Sequence, residues 1–164
     1  MAASLALSFW SFHITSSVRP YLAALLVTAL ALFAAGPAAA EKAYVKDGVG
    51  VSGYDPVAYF TDGKAVPGSD QFAAEHAGVI YKFASEEHRD AFTAEPAKYL
   101  PQYGGHCAYA AAKGALASTD PEAFTVLNGK LYLNFSQGIR QRWQPRAGEY
   151  IKAADANWPK LGAE

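Results

Sequence analysis

Gly78-Val79-Ile80-Tyr81-Lys82-Phe83-Ala84-Ser85 is echoed 51 residues later as Gly129-Lys130-Leu131-Tyr132-Leu133-Asn134-Phe135-Ser136. The offset persists past the serine, matching Arg89 with Arg140, Phe92 with Trp143, Tyr99 with Tyr150 and Leu100 with Ile151. Aromatic and branched residues behind a glycine turn read as a strand. Asn128-Gly129 suits a type I′ hairpin turn, which needs two residues at positive φ. Ser85 and Ser136 stand where an N-cap belongs. Glu86 and Glu87 then suit the positive end of a helix that should finish before Pro96.

Upstream, Asp55-Pro56-Val57-Ala58-Tyr59 matches Asp120-Pro121-Glu122-Ala123-Phe124 at offset 65, so the first copy reads as carrying an insertion around Lys64 to Ala77. Each copy, about 55–100 and 120–151, is expected to run Asp-Pro, strand, turn, strand, Ser, helix. Pro101 to Thr119 reads as an unrepeated connector. Its alanine-rich part predicts a two-turn helix with Cys107 in the first turn, closed by Lys113 and Gly114, and a strand is the rival reading. Gly148 to Asn157 predicts a last helix that Pro159 stops. Copies this small bury a core only together. The expected fold is one small α+β domain of two related hairpin-plus-helix halves, antiparallel strands packed with short helices.

The chain has 164 residues, a net charge of −1 and 51% apolar content, which excludes a disordered chain. No Lys/Arg block is present to track phosphates, which argues against a nucleic-acid partner. The single cysteine excludes a disulfide framework and a multi-cysteine zinc site. Arg19 is the only charged side chain before Glu41. An apolar run from Tyr21 to Ala35 and the small-residue site Ala38-Ala39-Ala40 follow it, the order of a secretory leader cut after Ala40. The run is about 15 residues, short of the ~20 that span a bilayer, so no stable membrane anchor is expected after cleavage. The 41–164 domain is expected in the periplasm or secreted, and a start at Val18 would give a compact leader.

Asp55-Pro56-Val57, Tyr81-Lys82-Phe83-Ala84-Ser85, Arg89, Phe92, Pro96 and Tyr99-Leu100 resemble the YHS domain. The run from Gly53-Tyr54-Asp55 through Tyr103-Gly104-Gly105-His106-Cys107-Ala108-Tyr109 to Asn157-Trp158-Pro159 is similar to exported bacterial YHS-domain (seleno)proteins and covers nearly all of 51–161. That family has no settled activity. The resemblance implies selenocysteine in some members at the position of Cys107, and hence redox chemistry. Metal-binding YHS domains carry Asp-Pro-Val-Cys and Tyr-x-Phe-Cys-Ser-x-x-Cys, and at those cysteines this chain has Ala58, Ala84 and His88. The three are therefore expected to lie together around an apolar, metal-free pocket.

The candidate chemistry centres on Cys107. The leading expectation is a binding module for a transition metal such as copper, or for a small ligand, near Cys107, with His88, His106 and Cys107 as metal ligands. A soft thiolate with imidazole suits copper or zinc. The alternative is a thiol-based oxidoreductase with Cys107 as the catalytic nucleophile. A third is a structural or interaction domain in which the cysteine is a small core hydrophobe. The dense tyrosines predict a core, or a cleft beside Cys107.

Overall fold

The computed structural model describes residues 42–163. The expected leader, 1–40, lies outside them. The chain is a small α+β domain. It opens with two short strands, β1 (Val45–Lys46) and β2 (Val49–Gly50), and a 3-10 turn at Val51–Gly53. Next come α1 (Ala58–Thr61), the hairpin β3 (Ser69–His76) and β4 (Val79–Phe83), α2 (Glu86–Ala94) and α3 (Pro96–Tyr99). A second 3-10 turn at Gln102–Gly105 leads into α4 (Ala108–Ala112), and a second hairpin is formed by β5 (Asp120–Leu127) and β6 (Lys130–Asn134). Then follow α5 (Gln137–Trp143) and, after another 3-10 turn, α6 (Ala147–Leu161). The strands are not all antiparallel. β1-β2-β4-β3 form a mixed sheet in which β2 runs parallel to β4, while β5 and β6 form an antiparallel pair.

The strand, serine, helix order appears in both segments. Ser85 caps α2 by accepting from the His88 N–H, and Ser136 caps α5 by accepting from the Ile139 N–H. The hairpins are equivalent at one constant offset. Ser69↔Phe83 and Ala73↔Lys82 in the first correspond to Asp120↔Asn134 and Phe124↔Leu133 in the second, each with its bulge at the same place. Both turns hold two residues at positive φ: Ala77 and Gly78, then Asn128 and Gly129.

This corrects the upstream reading. By hairpin register the position equivalent to Asp120 is Ser69, not Asp55, and in place of an insertion around Lys64 to Ala77 the offset changes by a single residue, from 52 before the hairpins to 51 within them. Asp55-Pro56 does not enter a strand. The Asp55 carboxylate accepts from the N–H groups of Val57 and Ala58, and so starts the helical turn α1. The connector is not unrepeated either. Val51, Ser52 and Gly53 have φ of 50°, 52° and 81°, and Tyr103, Gly104 and Gly105 have 57°, 57° and 84°. Each trio turns the chain into a short helix. Each is followed by the same link to the segment that leads into the next hairpin: Asp55 N–H to Val66 C=O at 2.8 Å, and Cys107 N–H to Ala117 C=O at 3.1 Å. Asp55 and Cys107 are therefore counterparts. Near the end of the chain, α6 continues through Pro159 instead of stopping there. The proline forgoes its own bond to the Asp155 carbonyl, and because the helix ends two residues later little helix lies beyond the break.

Two apolar clusters share β6. Leu131 and Leu133 join Val57, Tyr59, Phe83 and Phe92 in the first. Tyr132, between them, joins Tyr103, Trp143, Ala154 and Trp158 in the second. Alternate residues of a strand point to opposite faces, so one strand serves both clusters. Residues 131–134 are all buried as a result.

Candidate functional site

Three groups of residues carry chemistry. The first gathers around Asp55, which is fully buried. Besides the two helix amides, its carboxylate accepts from the Ala84 N–H at 2.8 Å and pairs with His88 Nδ1 at 2.6 Å. Ala58, Ala84 and His88 thus do come together, as the resemblance implied. The space between them is not apolar, however, because the Asp55 carboxylate occupies it. His88 Nε2 lies 3.4 Å from the Thr61 hydroxyl. This arrangement orients the imidazole. The role of Asp55 went unread in the sequence, where Asp-Pro looked like a strand entry.

The second group surrounds Cys107, the residue that enters α4. The sulfur is buried, with 1% of the residue exposed. It accepts from the Phe135 N–H at 3.3 Å and lies 3.8 Å from Asn134 Oδ1. Asn134 is fully buried, and its Nδ2 has no hydrogen-bond partner among the described residues. Asn134, a polar residue behind Leu131-Tyr132-Leu133, went unread in the sequence. His106, next in the chain, does not share these partners. Its ring stands against Tyr44 and Trp158, at centroid distances of 5.5 and 6.1 Å.

His106 is 8% exposed, and neither ring nitrogen finds a hydrogen-bond partner among the described residues. Burial holds its pKa below the usual 6.5 and the charge of Lys42 pushes the same way, while the carbonyls of Ala117 and Lys42 oppose them. The unfolded chain therefore takes up a proton near pH 6.5 that the folded protein resists. Stability falls as pH drops from 6.5 toward the lowered folded value, with a limiting slope of about 1.4 kcal/mol per pH unit. His106→Phe should lose less melting temperature between pH 7.5 and pH 5 than the wild type. Equal losses would show that His106 is not the responsible group.

The third group lines a cleft of about 340 Å³ bounded by Ala97, Leu100, Pro101, Tyr103, Asp155 and Trp158, with Gln102 and Pro159 completing its wall. The Tyr103 hydroxyl donates to Asp155 Oδ1 at 2.9 Å. Burial first, and then this bond, raise the Tyr103 pKa well above its ordinary value, so the phenol stays a donor. Tyr103 reaches this place through its left-handed backbone, and the carbonyl of the next residue, Gly104, accepts from the Tyr44 N–H at 2.8 Å. A Cβ at Gly104 would collide with the Lys42 carbonyl. Cys107 is not among the residues of this cleft.

No family model, curated protein or solved structure matches the chain. Its chemistry rests on the residues themselves. Among the described residues, no three His, Cys, Asp or Glu side chains gather closely enough to hold a metal ion. His88 faces Asp55, His106 faces two aromatic rings, and Cys107 faces Asn134 and Phe135.

Proposed function

We propose that the protein is an exported YHS-type binding module, built from two related halves, that takes a small organic cation in the cleft beside Tyr103, four residues before Cys107. The observation that carries the reading is the character of this cleft. Among the described residues its one charged side chain is the Asp155 carboxylate, and its apolar wall includes Trp158. The Tyr103 hydroxyl engages one oxygen of Asp155 and so orients the carboxylate. A volume of about 340 Å³ suits a small molecule. A fixed carboxylate beside an aromatic ring attracts an ammonium group that carries an apolar body. The export part of the reading is supported by the leader sequence before Glu41. A copper site made of His88, His106 and Cys107 is less well supported, because each of the three is engaged with different partners.

Calorimetric titration with benzyltrimethylammonium tests the reading. Saturable binding is expected, and Asp155→Asn should weaken it about tenfold, since one charge–charge contact is lost in a partly desolvated place. A flat titration, or binding that Asp155→Asn leaves unchanged, would remove the cleft as the ligand site.

A further inference from the structure

Cys107 stands where the first copy places a carboxylate. Asp55 and Cys107 each stand two residues past a trio at positive φ, and each donates its N–H to the segment that leads into the next hairpin. Each side chain accepts a hydrogen bond from the residue before a helix-capping serine: the Ala84 N–H for Asp55 and the Phe135 N–H for Cys107. The fold thus aims a backbone donor at the same locus twice. In the first copy an acid answers it, and in the second the chain's single cysteine does.

A second observation lies at the sulfur itself. The Asn134 amide faces Cys107 while its Nδ2 donor remains buried and without an acceptor. A thiol can donate only weakly to Oδ1 at 3.8 Å. A thiolate, or an oxygen carried on the sulfur, accepts hydrogen bonds instead, and a turn of the amide then presents Nδ2 to it. The otherwise orphaned donor acquires a strong acceptor when the sulfur locus is anionic or oxygenated.

We infer that Cys107 is a peroxide-oxidisable nucleophile whose oxidised form, a sulfenate, is held by the Phe135 N–H and the Asn134 amide. This does not depend on the cleft ligand. The thiolate attacks one oxygen of hydrogen peroxide. An S–O bond forms as the O–O bond breaks, and the departing hydroxide takes a proton from solvent and leaves as water. Sulfur loses two electrons and the peroxide gains them. With no second cysteine in the chain, the sulfenic acid cannot close an intramolecular disulfide. An external low-molecular-weight thiol restores it: the first equivalent forms a mixed disulfide and releases water, and the second releases the Cys107 thiol and the small disulfide.

The test treats protein expressed from the full-length sequence with hydrogen peroxide in the presence of dimedone and follows the adduct by intact mass. One adduct is expected in the folded protein and none in Cys107→Ser. Asn134→Asp keeps the shape of the side chain but replaces its donor with a second anion, and should slow the reaction about tenfold or more. An adduct that forms only after unfolding, or a rate unchanged by Asn134→Asp, overturns the inference. A further variant tests the locus without any chemistry. Cys107→Asp restores the residue type of the counterpart position and should fold, whereas its failure to fold would show an apolar site and also overturn the inference.

Discussion

Asp55→Ala should lower the unfolding free energy by about 3–5 kcal/mol, because it strands two buried backbone donors and breaks two half-buried hydrogen bonds at once. The carboxylate is the acceptor for the N–H groups of Val57, Ala58 and Ala84 and the partner of His88 Nδ1, and no solvent reaches it. These contacts tie the start of α1 to the end of β4 and the first turn of α2, three segments separated by up to 33 residues. Asp55→Asn keeps one acceptor oxygen but turns an NH₂ toward donors, so an intermediate loss of about 2 kcal/mol is expected. Urea denaturation followed by circular dichroism measures both. A loss under about 1 kcal/mol for Asp55→Ala would mean that the carboxylate does not organise this corner.

What the sequence makes legible is carried by local chemistry. Asn128-Gly129, the two capping serines and the Phe92/Trp143 pair are visible because turn residues, caps and large apolar side chains leave direct marks. The equivalence of 51–53 with 103–105 leaves almost none. Val51-Ser52-Gly53 and Tyr103-Gly104-Gly105 share one glycine position and a backbone path, and the path is set by tertiary packing. Val51 and Tyr103 adopt positive φ, which their side chains disfavour, so propensity argues against the conformation that is present. The counterparts Asp55 and Cys107 differ in every chemical respect but one, the ability to accept a hydrogen bond as an anion. The attractive Asp-Pro match at Asp120 arises from a pair common in turns, and there it opens a strand. Among the candidate residues, the gathering of His88 with Ala58 and Ala84 follows from the resemblance. The role of Asn134 depends on which face of β6 it occupies, and that was settled only by packing.

Trp143→Ala should destabilise the protein by about 3–5 kcal/mol and should do so without dividing the unfolding transition. Trp143 is fully buried in the second cluster, where its ring lies 5.4 Å from that of Tyr132. Tyr132 stands between Leu131 and Leu133, whose side chains belong to the first cluster. If the second cluster loosens, β6 loses one of its two faces, and the first cluster loses the strand that carries two of its leucines. Loss of one cluster therefore propagates to the other. Near-ultraviolet circular dichroism and amide exchange at Tyr81 and Phe83 should report one midpoint in both wild type and variant, and two separated midpoints would show that β6 does not couple the clusters. Trp143→Phe separates two contributions. It places in the second copy the residue that its counterpart Phe92 already is, and it removes an indole N–H that is buried without a partner among the described residues. Its expected cost of about 1–2 kcal/mol is smaller than that of alanine, because lost packing is partly offset by relief of that unsatisfied donor. The difference between the two variants then measures how much of the second cluster's stability comes from filling volume at this one position on α5.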